Sequence, residues 1–579
     1  MARTLLRRGR RAPKLKGMRQ TLLATACLPL LLLSACASVK DQPPPRAATG
    51  GAESAYGLFL AGSSALSDGR NAEAARFLEL AGQQGGNDPA VTERAFTAAL
   101  MAGDIAKAAQ LAPDGPDATD QGKRMGRLTR AVQALADNKG KVAREILGSD
   151  GVGFPHRGAV ALLTPWVAAS TGDIDAALVR PLVRGDPGVE YFGQIGQAHL
   201  YERARRFDEA ETNFKAITGG NGGAEIAVIT YGGFLERRGR RSEAVALYDA
   251  ALARNGSNPG LRAARARAAA GKTAPSAPTI NEGAAFALLA PAATLITARQ
   301  TQVGMAYLRL ALRLDPQRNE GWLMLGDLLQ QQGDVEAARA AYQHAKPGSP
   351  EFSSAQSKLA WSYQSAGAKT EAVKLARAAA ATGDRDGVLT LADLLAANES
   401  LDEAVAIWTP LIANDKSPDW QLLYARGRAY ERMGRWKDAE SDLTRALALR
   451  PDDSELLNYL GYAWIDRGER VPEALAMVEK AVAANPRSGA IIDSLGWAHY
   501  RLGDFTKAVE ILEQAIELEA GDPEINNHLG DAYWMVGRKD EAVFQWRRVL
   551  TLKPDDKNRL DVEKKLASGL GPTPKLAGQ

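Results

Sequence analysis

Four stretches near the C-terminus decide the fold: LYARGRAYERMGRWKDAESDLTRALALRP (Leu423–Pro451), LNYLGYAWIDRGERVPEALAMVEKAVAANP (Leu457–Pro486), DSLGWAHYRLGDFTKAVEILEQAIELEA (Asp493–Ala520) and NHLGDAYWMVGRKDEAVFQWRRVLTLKP (Asn527–Pro554). Laid over one another they keep one register. Gly427, Gly461, Gly496 and Gly530 recur at spacings of 34, 35 and 34 residues. A second glycine follows at Gly434, Gly468, Gly503 and Gly537, and a small residue at Ala439, Ala474, Ala508 and Ala542. Pro451, Pro486 and Pro554 close three copies, with Ala520 in that place in the third. Each choice has a physical reason. The first glycine and the alanine sit where two paired helices approach closest, because a larger side chain would push them apart. The second glycine permits positive φ at the end of the first helix. Proline ends the second helix because it lacks a backbone donor. The one extra residue in the second copy, near Val471-Pro472, predicts a slightly longer turn.

Large residues at the remaining fixed steps (Tyr430, Leu443, Trp464, Leu512, Tyr533, Trp546) fill the space between neighbouring pairs. This pattern of Leu-Gly, Tyr, Gly, Ala, aromatic, Ala and Pro resembles the tetratricopeptide repeat (TPR), a helix–turn–helix unit. The resemblance implies an all-α fold, an α-solenoid in which the pairs stack into a right-handed superhelix. Working backwards, Trp322, Leu325-Gly326, Gly333, Ala338, Tyr342, Ala345 and Pro350 form another copy. Tyr363, Gly367 and Ala372 mark a further one, and Leu395, Ala404 and Trp408 a weaker one. Upstream come Gly232, Gly239, Ala244, Tyr248 and Ala251, preceded by Tyr201, Phe207, Ala210 and Phe214. Gly69, Ala74, Leu78 and Ala81, then Gly103 and Ala108, carry the pattern to the start of the array, while 114–187 is degenerate around Gly172 and Ala177. The count is about twelve or thirteen units.

The segment 271–282 (GKTAPSAPTINE) interrupts the array and predicts a hinge or loop between an N-terminal block, 55–270, and a C-terminal block, 283–556. A charged helix at 557–568, with Leu560, Val562 and Leu566, is placed to cover the last repeat, since solenoid ends need a polar cap. The remainder, 569–579, reads as a disordered tail.

The opposite end reads differently. Met18-Arg19 is a short basic start, residues 21–33 are apolar, and Ser34-Ala35 precede Cys36. This is the layout of a secretory signal peptide over 1–35, too short for the roughly 20 apolar residues of a spanning helix. Leu33-Ser34-Ala35-Cys36 resembles the lipobox of bacterial lipoproteins, which implies acylation of Cys36 as the first mature residue. An ordinary signal peptide with an incidental cysteine is the alternative. Met1 and Met18 both stand as candidate starts. The tether, 36–54, is rich in Pro, Gly and small polar residues and reads as a flexible spacer.

Removing the signal reverses the charge. The whole chain holds 72 Lys+Arg against 68 Asp+Glu, but eight bases and no acid precede Cys36, leaving 64 against 68. The apparent basicity belongs to export, so no nucleic-acid partner is expected. The chain has two cysteines, Cys27 within the signal and Cys36, so the mature chain offers no free thiol and no disulfide. None of the five histidines (His156, His199, His344, His499, His528) has a metal-like spacing, and no metal or cofactor is expected. Gly271-Lys272-Thr273 ends like a phosphate loop, yet Ala266 stands where the loop needs glycine. Gly219-Gly220-Asn221-Gly222-Gly223 reads as an inter-repeat loop. No enzyme emerges.

What remains is a surface. In the usual geometry of this repeat, the residue after the Leu-Gly glycine and the one three further on face the concave wall. They are Arg428 and Glu431, Tyr462 and Ile465, Trp497 and Tyr500, and Asp531 and Trp534. Tyr462, Trp497, Tyr500 and Trp534 are expected to form an aromatic track for a peptide, with Asn458 and Asn527 as amide donors. Partial packing of these rings between helices, or against the cap, is the competing reading. The track lacks the Lys, Asn and Arg set with which some members clamp a terminal carboxylate. The resemblances together imply a membrane-anchored scaffold that binds protein partners, on the periplasmic face of the outer membrane because Ala37 is not the aspartate associated with inner-membrane retention. Two alternatives stand beside it: a regulator of a cell-wall synthase, and a carbohydrate-binding scaffold in exopolysaccharide export.

Overall fold

The computed structural model describes residues 54–571 apart from 86–87, 149–151, 220–224, 255, 257 and 415–418. The signal segment, Cys36, the tether up to residue 53 and the tail from 572 lie outside the described residues, as does most of the glycine loop near 220. Thirty helices and no strand make up the described chain. In the C-terminal half they alternate as pairs: Trp420–Arg432 with Trp436–Leu449, Ser454–Arg467 with Val471–Ala484, Gly489–Arg501 with Phe505–Leu518, and Pro523–Met535 with Lys539–Thr551.

The repeated glycines sit at the expected close approaches. A Cβ on Gly461 would meet Val478 at 2.8 Å, on Gly496 Leu512 at 2.6 Å, and on Gly530 Trp546 at 2.5 Å. The turn glycines Gly434, Gly468, Gly503 and Gly537 have φ between 70° and 86°, a region costly for any residue with a Cβ. Leu443, Trp464, Leu512 and Trp546 are at most 2% exposed, so the space between pairs is filled as the spacing requires. Asp453, Ser488 and Asp522 cap the first helices of three pairs through side-chain oxygens, satisfying amides the helix leaves open.

The N-terminal half departs from a plain array. It curls as an arch whose inner side is filled by two helices from beyond the interruption, Ile280–Thr297 and Thr301–Leu314. The first packs on helices Arg157–Ser170 and Pro187–Arg203, the second on Pro89–Ala102 and Asp120–Ala136. One hydrophobic core runs from Phe96 through Trp166 and Leu288 to Leu359. Polar contacts fasten it. His156 Nδ1 and Tyr307 Oη lie 2.8 Å apart, Arg309 Nε donates to the Met101 carbonyl at 2.9 Å, and Arg313 Nε donates to Gln133 Oε1 at 3.0 Å. The arch also meets later helices at Gly69, whose added Cβ would lie 3.2 Å from Gln332, and at Arg262, which pairs with Asp384 at 2.6 Å.

Of the hinge or loop expected, residues 272–279 form a loop, and the helices on its two sides share one core. The helix Ile280–Thr297 begins inside the segment, capped by Thr279 and Glu282 in a reciprocal box. The carbonyls of Lys272, Pro275 and Pro278 accept hydrogen bonds from Arg241, Arg237 and Arg203 of the arch, which fixes the extended backbone. Ile280–Thr297 is apolar and long enough to cross a membrane on composition alone. Here Ala284, Ala285, Leu288, Leu289 and Ala292 are spent on the arch. At the other end helix Asp556–Ser568 packs on the last pair, with Val562 buried.

Candidate binding wall

First helices of successive pairs line the wall, and one residue follows each small landmark. A helix advances 100° per residue, so a residue three positions on swings back by about 60° from the wall direction. That rotation carries the second expected position off the wall in two repeats. Ile465 is 0% exposed and Tyr500 4%, so both turn into the inter-repeat core, while the charge on Glu431 keeps it at the surface. Tyr500 is thus not an open ligand contact.

The other expected residues are placed as follows. Trp497 is half-buried in a stack between Tyr500, at 4.6 Å between centroids and 7°, and His528, at 4.0 Å and 15°. Tyr462, also half-buried, donates its hydroxyl to Glu524 at 3.1 Å, reaching past the intervening helix Gly489–Arg501. Trp534 packs on Trp546 at 5.3 Å, with Lys539 Nζ 4.9 Å above its ring and the Gly569 backbone over its edge. Asn527, 5% exposed, is consumed by the cap: its Oδ1 accepts from Lys565 at 2.9 Å and its Nδ2 donates to Asp561 at 3.2 Å. Asn458 is half-buried and its Oδ1 has no hydrogen-bond partner. The expected continuous track is therefore shortened. Tyr462 and Trp497 remain on the wall, and the last repeat is engaged by helix Asp556–Ser568.

Charged groups hold this wall in place. His528 Nδ1 bonds Asp493 at 2.9 Å and 3.1 Å, and both residues are buried. Burial pulls the imidazole pKa down, but Asp493 outweighs it, helped by Glu524 and Asp531, and the net direction is up. Burial raises the Asp531 carboxyl against the opposing pull of Lys565, whose Nζ lies 2.8 Å away. A group whose folded pKa is raised stabilises fully below its unfolded value and loses that contribution as pH passes the folded one. His528→Gln is accordingly expected to lower the melting temperature most below pH 6.5, the ordinary histidine value, and progressively less at higher pH. Thermal melts of both proteins from pH 5.5 to 9 check this. A deficit that grows with pH contradicts it.

Arg428 is on the wall as its register predicts, while Trp361 escapes a search for the glycine landmark. Arg428 stands near the rings of Tyr424 and Tyr459, at 5.4 Å and 5.6 Å, and those tyrosines donate to Glu455 and Glu431. Trp361 is 41% exposed and borders an open cleft of about 590 Å³ between helices Asn319–Gln331 and Phe352–Ser365. Its signal in the sequence was present but disguised, because Ala360 takes the place of the landmark glycine directly before it.

Stacked helix pairs presenting one polar-aromatic wall define a helical-repeat interaction protein. Matches to the tetratricopeptide repeat family at residues 195–259, 289–352, 323–387, 389–442, 424–489 and 494–557 cover more than half of the chain, and the chain belongs to that family. It is 34% identical over 212 residues to the TPR repeat-containing protein PA4667 of Pseudomonas aeruginosa, a match spanning 36% of this chain and 35% of that protein. The chain thus spans about a third of the length of this curated relative. Among solved structures, a tetratricopeptide repeat protein from Parabacteroides merdae is 14% identical with a TM-score of 0.38, covering 43% of this chain and 97% of that one. MamA from Desulfovibrio magneticus is 22% identical with a TM-score of 0.26, covering 29% and 93%.

Proposed function

We propose that the chain is a non-enzymatic scaffold, held to a membrane through acylated Cys36, that gathers protein partners along its wall outside the cytoplasm. Tetratricopeptide repeats generally mediate protein–protein contacts, and the finer reading adds an anchor and a place. The observation that carries the binding reading is the pair Tyr462 and Trp497: large amphipathic rings left partly exposed on a wall whose neighbours are fixed by ion pairs. Rigid aromatic anchors of this kind supply contact area at little entropic cost. The anchor reading rests on Leu33-Ser34-Ala35-Cys36. Two or more acyl chains give stable attachment at about 0.8 kcal/mol per buried methylene. The periplasmic face of the outer membrane and a role in assembling envelope complexes complete the proposal.

Affinity capture from fractionated cells tests both parts. Wild-type protein is expected in the membrane fraction with a reproducible partner set, and Cys36→Ser in the soluble fraction. Tyr462→Ala/Trp497→Ala is expected to stay in the membrane and lose those partners while keeping its helical circular dichroism. Retention of Cys36→Ser in membranes sinks the anchor, and an unchanged partner set sinks the aromatic wall.

A further inference from the structure

We propose that the cleft beside Trp361 binds a neutral sugar ring of a glycan chain, with the ring's C–H face stacked on the indole. The site is separate from the wall of the last repeats and does not depend on what binds there.

The indole is the first observation. Trp361 leaves 41% of its surface in water, at the wall position that Asp327 fills in the preceding repeat, and it is more open than Tyr462 and Trp497 at the same position further on. It stands at the edge of an open volume of about 590 Å³ rather than on a flat face. Tryptophan is a costly residue to expose, and a concave setting with an apolar floor and convergent polar groups is what a small ligand needs.

Charge selects the ligand class. Lys358 pairs with Asp327 at 2.8 Å, and Arg339 pairs with Glu336 at 2.8 Å. The other Arg339 donors are taken by Ser362, at 2.9 Å to its Oγ and 2.8 Å to its carbonyl. Charges around the cleft cancel in pairs, so an ionic ligand gains no unpaired partner and must break a pair to enter. A neutral ligand meets no such cost.

Hydrogen bonding narrows it further. Gln330 and Gln331 are exposed on the rim, and each planar amide offers two N–H donors and a carbonyl acceptor, the complement of two adjacent hydroxyls. Asp327 lines the cleft and is held in place through Oδ1 by the Tyr342 hydroxyl at 2.9 Å and Lys358 Nζ at 2.8 Å, both on that one oxygen. A peptide backbone is served less well. The position of Asn458, the expected peptide-facing amide that the cap does not consume, is Leu323 and Ser357 in these two repeats, so that amide is absent from this part of the wall. Neutrality, paired hydroxyl-binding groups and an exposed indole together favour a pyranose over a peptide.

Isothermal titration of the full-length protein in detergent tests the proposal, with chitotetraose and cellotetraose as probes and an uncharged leucine-rich peptide in parallel. Saturable binding of at least one tetrasaccharide is expected. Trp361→Ala is expected to weaken it tenfold or more, Gln330→Ala/Gln331→Ala several-fold, and Trp361→Tyr to retain most of it. Trp497→Ala leaves it unchanged, so a failure of this site is distinguishable from a failure of the protein-binding wall. No heat with either sugar, equal affinity in Trp361→Ala, or binding of the peptide alone overturns the proposal. Trp361 is a surface residue, and unchanged circular dichroism of the variants confirms that folding is not what is being read.

Discussion

Trp166→Ala is expected to destabilise the protein by about 3–5 kcal/mol, the range for truncating a buried tryptophan. The indole is 2% exposed in helix Arg157–Ser170 and serves two elements at once. Its Nε1 lies 3.4 Å from where a Cβ on Gly196 would stand, and its six-membered ring fills the place of a Cβ on Gly283, at 2.1 Å. Removing it therefore opens a cavity between the arch and Ile280–Thr297, where the surrounding backbones are held by pairs such as His156–Tyr307 and cannot collapse freely. Solenoid stability is close to a sum of nearest-neighbour terms, so the loss is expected to stay local. Hydrogen exchange is expected to show lost protection across residues 89–314 and near-wild-type protection in helices from Gly489 onward. Urea unfolding gives the magnitude. A cost under 1 kcal/mol contradicts the shared core.

Arg426→Met is expected to cost about 3–5 kcal/mol, because it strands a buried carboxylate. Arg426 Nε and Nη2 donate to the two oxygens of Asp442 at 2.7 Å and 2.9 Å, with side chains 11% and 4% exposed. The pair joins the two helices of one repeat. Arg445, half-exposed and 3.4 Å from Asp442, compensates only in part, which points to the lower end of the range. Arg426→Met/Asp442→Leu is expected to recover most of the loss, since an apolar pair of similar volume avoids desolvating two charges. A double-mutant cycle in urea measures both numbers. Equal destabilisation in the single and double variants contradicts the stranded-charge account.

Much of the fold was legible because the repeat writes its geometry into single residues. Gly461, Gly496 and Gly530 are small because Val478, Leu512 and Trp546 occupy the space a Cβ would take. The arch was not legible for an equally physical reason. Its core joins residues far apart in the chain, such as His156 with Tyr307 and Met101 with Arg309, and no local period encodes such contacts. Ile280–Thr297 is apolar on nearly every face, so it lacks the landmarks of a repeat helix although its composition fits a fully buried one. The wall was legible in part. Tyr462 and Trp497 follow directly from the glycine register, but Ile465 and Tyr500, three residues beyond those two, turn inward where burial favours an apolar ring or chain. Asn527 looked like a free amide only because Lys565 and Asp561 lie a full repeat away in the cap.

On the proposed function, partners are held on the concave wall rather than on the outside of the superhelix. Site-specific photo-crosslinking in living cells tests it most directly, with the crosslinker placed singly at Tyr462 and Trp497 on the wall and at exposed Leu449, Leu518 and Phe544 on second helices. Discrete protein adducts are expected from Tyr462 and Trp497 and none from Leu449, Leu518 or Phe544. Adducts confined to the second-helix positions, or equal from both sets, would contradict it.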